Sequence, residues 1–119
     1  AVSAFIEDIY QRGMADDVLL VMTGEFGRTP RINKNGGRDH WGNLCPLVFV
    51  GGGLKMGQVI GQSDPHGGEP ISDHVSSQQV LATIMNTLFD TGKLRLQQGI
   101  PREIEATMTG GDPIYQLFS

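Results

Sequence analysis

The sequence is poor in three features that mark common classes of protein. It has one cysteine, Cys45, so no internal disulfide can form, and its position at the start of an apolar run predicts a buried thiol. Its 9 basic residues are outnumbered by 13 acidic ones, which argues against a general binder of nucleic acids or anionic membranes. No apolar run is long enough to cross a bilayer. We therefore expect no nucleic-acid partner and no membrane span.

An initiator methionine is also absent, and the chain opens directly in an amphipathic helical pattern. We expect residues 1–119 to form a single domain that was cut from a longer protein. Glycine is frequent instead, at 17 residues, roughly twice the usual share, and it shows no regular period. Turns and loops should therefore be prominent.

The order of apolar patterns predicts an α/β fold. Residues 2–12 have a helical period closed by Gly13, whereas residues 18–22 and 47–50 are continuous apolar runs typical of strands covered on both faces. A second helix should begin with a capping box at Ser76. Its apolar stripe is wide enough to predict packing against a sheet, and consists of Val80, Leu81, Ile84, Met85, Leu88 and Phe89.

Residues 24–46 join the two predicted strands through a polar, glycine-rich segment with neither a helical nor a strand period. Structureless connections beyond about 12 to 15 residues are mostly functional or disordered, and sites in α/β sheets lie beyond the carboxyl ends of strands. Glu25 and Asp39 supply hard oxygen donors and His40 an imidazole, a set suited to Zn, Ca, Mg or Mn. These three residues are candidate metal ligands, and any further ligands would come from elsewhere.

The same segment carries four of the nine basic residues, so the charge is locally inverted. A planar guanidinium can grip a tetrahedral oxyanion, which makes Arg28 and Arg38 candidate catalytic residues for sulfate or phosphate ester chemistry. The alternative is a solvated polar loop in which Asp39 caps a backbone amide and His40 packs on Trp41. Both interpretations are compatible with the sequence.

Four other polar residues are weaker candidates. Asp64 and His66 lie in a segment of turn-forming residues, so we expect a surface turn there. Asp73 and His74 precede the second predicted helix, where capping and solvent exposure explain them. No serine, threonine or cysteine has a neighbouring base in sequence, so the chain lacks an evident nucleophile.

The segments "TGEFGRTP", "GGRDHWGN", "CPLVFVGGG" and "VSSQQVLATIMNTLFD" together resemble the carboxyl-terminal third of an uncharacterised sulfatase-like family in the alkaline phosphatase superfamily. The resemblance covers residues 15–118. It implies a fragment of an α/β sandwich with a mixed sheet flanked by helices, whose strand ends hold metal ions. By the same resemblance, Glu25 and His40 match metal-binding positions, whereas Phe26 stands where the family has a second metal-binding histidine.

The resemblance and the residues together lead to one expected function. It is metal-dependent hydrolysis of small-molecule sulfate or phosphate esters, with this portion inactive alone because the nucleophile lies elsewhere. The alternative is a non-catalytic binding or structural domain that keeps the fold without a complete metal site. We also expect homo-oligomers through exposed sheet edges, and the resemblance suggests an exported or periplasmic protein.

Overall fold

A computed structural model of the protein describes residues 1–118 and combines helices with short strands. The elements in chain order are α1 (Val2–Gln11), β1 (Leu19–Thr23), β2 (Gly27–Arg28), β3 (His40–Trp41), β4 (Leu47–Gly51), β5 (Gln62–Ser63), β6 (Pro70–Ser72), α2 (Ser77–Leu88), α3 (Thr91–Leu94), α4 (Arg102–Thr109) and a 3-10 helix (Tyr115–Leu117). The prediction of a mixed α/β fold is confirmed. No helix in this described part has the length and apolar character needed to span a membrane.

The strands pair two by two. β1 pairs with β4, β2 with β3, and β5 with β6, and the last two pairs are antiparallel. A larger central sheet is not formed within residues 1–118.

The chain divides into two compact units. The first unit comprises residues 1–19, 50–57 and 75–119, and the second unit comprises residues 20–49 and 58–74. All four helices belong to the first unit, whereas the hairpins β2–β3 and β5–β6 belong to the second.

In the first unit, α1 ends at the glycine that the sequence indicated. Gly13 adopts a φ of 69°, which a residue without a Cβ reaches at little cost. Its N–H donates to the Tyr10 carbonyl at 3.1 Å and the Met14 N–H donates to the Ile9 carbonyl at 2.8 Å. This pair of hydrogen bonds is a Schellman motif, so the predicted stop is confirmed.

The start of α2 also follows the sequence. The Gln79 N–H donates to Ser76 Oγ at 3.2 Å, and the Ser76 N–H donates to Gln79 Oε1 at 3.0 Å. The predicted capping box is therefore present.

The core of the first unit is small and lies among its helices. Its buried apolar residues are Ile9, Leu54, Ala82, Leu94, Ile114 and Leu117. α2 contacts α4 in this unit, and Leu81, Leu88 and Phe89 on its apolar stripe stay exposed. The expected packing of the whole stripe against a sheet is therefore wrong for this structure.

The second unit contains no buried apolar side chain in the part that the structure describes. The residues of β1 are half-buried up to the exposed Thr23, and Val48 in β4 is 42% exposed. The prediction that these strands are covered on both faces is therefore wrong, because their side chains are half-buried or exposed.

Candidate functional site

The long segment between β1 and β4 is folded as a β-hairpin. Gly27 pairs with Trp41 and Arg28 pairs with His40 in antiparallel register. The Thr29 N–H donates to the Asp39 carbonyl at 3.0 Å, which extends the pairing by one residue. Residues 29–39, the hairpin tip, connect the two strands.

Position 27 is a glycine because the backbone of Leu44 passes close to it. A Cβ at this position would clash with the backbone carbonyl of Leu44. The backbone of β2 can therefore approach residue 44 closely only because position 27 has no side chain.

The hairpin tip is organised around the half-buried side chain of Asn33. Its Oδ1 accepts the N–H groups of Asn35 and Gly37, both at 3.0 Å, and its Nδ2 donates to Asp39 Oδ1 at 2.8 Å. The backbone closes the same turn, because the Asn33 N–H donates to the Gly37 carbonyl at 2.8 Å. One asparagine thus fixes the conformation of the connection. The role of Asn33 was not predicted from the sequence, because the recognisable turn signal in this segment is the next asparagine, Asn35, which precedes two glycines.

Two of the predicted site residues are engaged by the hairpin itself. Arg38 Nη1 donates to the carbonyls of Thr29 and Pro30, each at 2.7 Å. Asp39 receives the Asn33 amide described above, and its own N–H donates to Thr29 Oγ1 at 3.0 Å. Arg38 and Asp39 therefore stabilise the tip in this structure.

Arg28 and His40 lie on an exposed face of the hairpin. Directly opposed residues of an antiparallel pair project to the same side, so the side chains of Arg28 and His40 share this face. Both residues are exposed. The only hydrogen bond that Arg28 donates within residues 1–118 is a long one of 3.5 Å to the Arg38 carbonyl. Most of its donors are therefore available to a ligand.

The His40 ring also contacts Phe26. The two ring centroids are 4.1 Å apart and the ring planes are tilted by 34°. The suggestion that His40 packs on Trp41 is therefore wrong, since consecutive strand residues point to opposite faces. Arg28, His40 and Phe26 together form what we call the hairpin face.

Trp41 holds the opposite side of the hairpin against a turn of the same unit. Its Nε1 donates to the Gly68 carbonyl at 2.6 Å, and the neighbouring Asn43 amide donates to Glu69 Oε1 at 2.5 Å. Trp41 is half-buried, whereas His40 is exposed. The side of the hairpin that carries Trp41 thus packs within the unit, and the side that carries His40 faces solvent.

The turn that receives Trp41 is built on Asp64. Its carboxylate accepts the N–H groups of His66 at 2.8 Å and of Gly68 and Glu69 at 3.0 Å. The hydrogen bond from Gly68, with smaller contributions from those of His66 and Glu69, holds the pKa of Asp64 below its ordinary value. Asp64 and His66 thus lie in a turn, as the sequence indicated, and Asp64 organises it.

The predicted metal ligands do not form a metal site by themselves. No group of three or more His, Cys, Asp or Glu side chains in residues 1–118 is placed to hold a metal ion. Glu25 is exposed, Asp39 accepts the amide of Asn33, and the His40 ring lies against Phe26. The donor set of Glu25, Asp39 and His40 therefore does not fit a divalent metal without further ligands.

Cys45 is exposed, so the predicted burial of its thiol is wrong. The residue precedes the half-buried strand β4, and its Sγ donates to the Gly24 carbonyl at 3.1 Å. The apolar run that follows it does not lie in a closed core, which removes the basis of the prediction.

Comparison with known protein families gives a match over nearly the whole chain. Residues 1–116 match DUF1501, a family described as proteins of unknown function. No curated protein and no solved structure matches the chain significantly. DUF1501 is distinct from the sulfatase and alkaline phosphatase families, so the resemblance to a sulfatase-like family is wrong as an assignment of membership. The chain belongs to the DUF1501 family.

Proposed function

We propose that the hairpin face is the oxyanion-binding part of a metal-dependent hydrolase of small-molecule sulfate or phosphate esters. One observation carries the proposal: Arg28 and His40 are directly opposed on an exposed face and project to the same side. A guanidinium offers a planar fork of donors to a tetrahedral oxyanion, and an adjacent imidazole adds another donor.

The charge of the hairpin supports the same function. Between residues 27 and 40 the chain carries four cationic side chains and one carboxylate, although its formal net charge is −4. Clustered positive charge raises the local concentration of anions and speeds their encounter with the surface. The hairpin is therefore the region of this acidic chain to which an anionic ester would be attracted.

The proposal assigns different roles to the predicted site residues. Arg28 and His40 bind the oxyanion, whereas Arg38 and Asp39 hold the tip from which β3 continues. Glu25 is an exposed carboxylate suited to Zn, Ca, Mg or Mn. Since the ligands in residues 1–118 are incomplete, we propose that the remaining ligands and the nucleophile lie outside them.

We also propose that β1 and β4 belong to a larger mixed sheet flanked by helices. Both strands are apolar, yet their residues are half-buried at most except for Gly51 at the end of β4. A second copy of the chain, pairing along an unpaired edge of these strands, is one way to extend the sheet. Size-exclusion chromatography with light scattering tests this: a dimer agrees, and a monomer at all concentrations contradicts the pairing of copies.

Trp41 offers a direct test of oxyanion binding, because it is the only tryptophan and adjoins His40. We expect sulfate or phosphate at constant ionic strength to change its fluorescence saturably. Arg28→Gln should weaken binding about tenfold or more, since hydrogen bonds to charged groups contribute about 1.5 to 3 kcal/mol. Arg102→Gln, at an exposed arginine of the first unit, is the matched control and should bind like the wild type. Equal affinities of the wild type and Arg28→Gln would overturn the proposal.

A non-catalytic binding or structural domain is the second candidate function. The contact of Phe26 with His40 favours it, because this contact gives the imidazole a packing role. Elemental analysis and turnover of aryl phosphate and sulfate esters, measured on the longest protein that contains this chain, distinguish the candidates. Stoichiometric metal with turnover that falls in His40→Ala supports the hydrolase, whereas neither metal nor turnover supports the binding domain.

A further inference from the structure

We infer that the hairpin tip, together with Arg28 of the adjoining hairpin face, is a docking surface for a polysaccharide that carries sulfate esters. The inference rests on the proposed function, since it extends the same oxyanion chemistry from the hairpin face to the tip. The surface consists of the four cationic side chains of the hairpin, namely Arg28, Arg31, Lys34 and Arg38.

The first observation is that these cations have no anionic partner within residues 1–118. The two ion pairs in this part of the chain, Arg12 with Asp8 and Lys93 with Asp90, both lie in the first unit. The one carboxylate of the hairpin, Asp39, is hydrogen-bonded to the neutral amide of Asn33. The positive charge of the hairpin is thus left uncompensated by the fold.

The second observation is that the tip is preorganised. The Asn33 side chain accepts hydrogen bonds from two backbone N–H groups. Arg38 donates to two backbone carbonyls, which are neutral acceptors, so its charge is not compensated. Arg31 and Lys34 are exposed on this fixed backbone. A surface whose backbone is already ordered loses less conformational entropy on binding, so its charges are effective toward a repeating anion.

The number and spread of the charges favour a polymer over a single small ester. One sulfate or phosphate group can occupy the pair formed by Arg28 and His40, which leaves Arg31 and Lys34 without a role. A polysaccharide with repeated sulfate groups can contact the pair Arg28 and His40 and, at the same time, Arg31 and Lys34. Linked contacts of this kind raise the affinity above that of either contact alone.

The residues of the tip favour a polysaccharide over a single-stranded nucleic acid. Binding of single strands relies on aromatic side chains on which bases stack. No aromatic residue occurs between positions 29 and 39. Phe26 contacts His40 and Trp41 donates to Gly68, so the neighbouring rings already have partners in the fold.

Dextran sulfate is the probe, and its affinity for the chain is measured by calorimetry over a series of salt concentrations. Binding should weaken as salt rises, because neutralising the polyanion releases its counterions. The double Gln variant combines Arg31→Gln and Lys34→Gln. In this variant we expect the slope of log affinity against log salt concentration to become shallower by about two, because each removed cation contributes about one. The control, Lys93→Gln with Arg102→Gln, removes two cations of the first unit and should leave the slope unchanged.

The side chains of Arg31 and Lys34 make no hydrogen bond or ion pair within residues 1–118, so the double variant should keep the fold, and circular dichroism verifies this. Arg31→Lys with Lys34→Arg should restore the slope. An unchanged slope in the double Gln variant would overturn the inference, as would equal affinity for single-stranded DNA of matched charge. Inorganic sulfate is titrated in parallel. If the wild type fails to bind sulfate, the proposed function is overturned. The double Gln variant should still bind sulfate.

Discussion

Each of the two units of this protein is stabilised internally by a different kind of interaction. The first unit buries apolar side chains among helices, whereas the second has no buried apolar side chain among its described residues. In the second unit, side chains instead bind backbone groups, as Asn33, Arg38, Trp41 and Asp64 all do. We infer that the first unit supplies most of the stability and that the second positions a charged hairpin. A unit built in this way should respond to single substitutions of the side chains that bind its backbone.

Leu117→Ala should produce the largest loss of stability. Leu117 is 6% exposed in the core of the first unit, and removing a buried leucine side chain costs about 2 to 5 kcal/mol. Phe118→Ala, at a residue 44% exposed, is the matched control and should cost much less. Chemical denaturation followed by circular dichroism measures both. Equal losses for the two variants would show that the first unit has no effective core.

Thr83→Val should have the next largest effect. The fully buried Thr83 hydroxyl donates to the Gln79 carbonyl at 2.7 Å and accepts the Ile114 N–H at 2.9 Å. Valine keeps the shape but leaves the Ile114 amide without its acceptor, which costs about 1 to 3 kcal/mol. Thr107→Val provides the control, because its exposed hydroxyl only bonds a carbonyl of its own helix. If both variants lose the same stability, the link between α2 and residue 114 is unimportant.

Gly27→Ala should open the hairpin while leaving the helices folded. The added methyl group would collide with the Leu44 carbonyl, so β2 must move away from residue 44. Trp41 fluorescence should shift toward that of an exposed indole, with little change in helical circular dichroism. Gly42→Ala is the control, since a Cβ there meets nothing within 4 Å. An unshifted Trp41 spectrum in Gly27→Ala would show that the close approach is not required.

Acidification should have the smallest effect, confined to the turn of residues 64–69. Because the pKa of Asp64 lies below its ordinary value of 3.8 in the folded chain, its ionised carboxylate stabilises the turn above that pH. This contribution is lost as the pH falls through the lowered pKa. The amide resonances of Gly68 and Glu69 should report the transition. Asp64→Asn should lack it, and a transition that persists in this variant would assign it to another group.

Some features were predictable because their signals are local. The Gly13 stop and the Ser76 capping box depend on residues within one helical turn, and both are present. The β2–β3 pairing was not predicted, because two-residue strands show no alternation and pair across eleven intervening residues. The burial of Cys45 was wrongly predicted because an apolar run does not reveal whether anything covers it.

The candidate site was predictable as a region but not as a set of roles. Composition indicated residues 24–46, since charge and glycine concentrate there. The different uses of Arg28 and Arg38 depend on the hairpin register, which places one on the exposed face and lets the other reach the carbonyls of Thr29 and Pro30. Residue type alone cannot distinguish two arginines in one loop.

The most direct test of the central claim is a nuclear magnetic resonance titration of the chain with sulfate at constant ionic strength. The account predicts that the side-chain signals of Arg28 and His40 shift together with one dissociation constant, while those of Arg12 and His66 stay unchanged. Signals of Arg28 and His40 that do not move, or that move no more than those of Arg12 and His66, would contradict it.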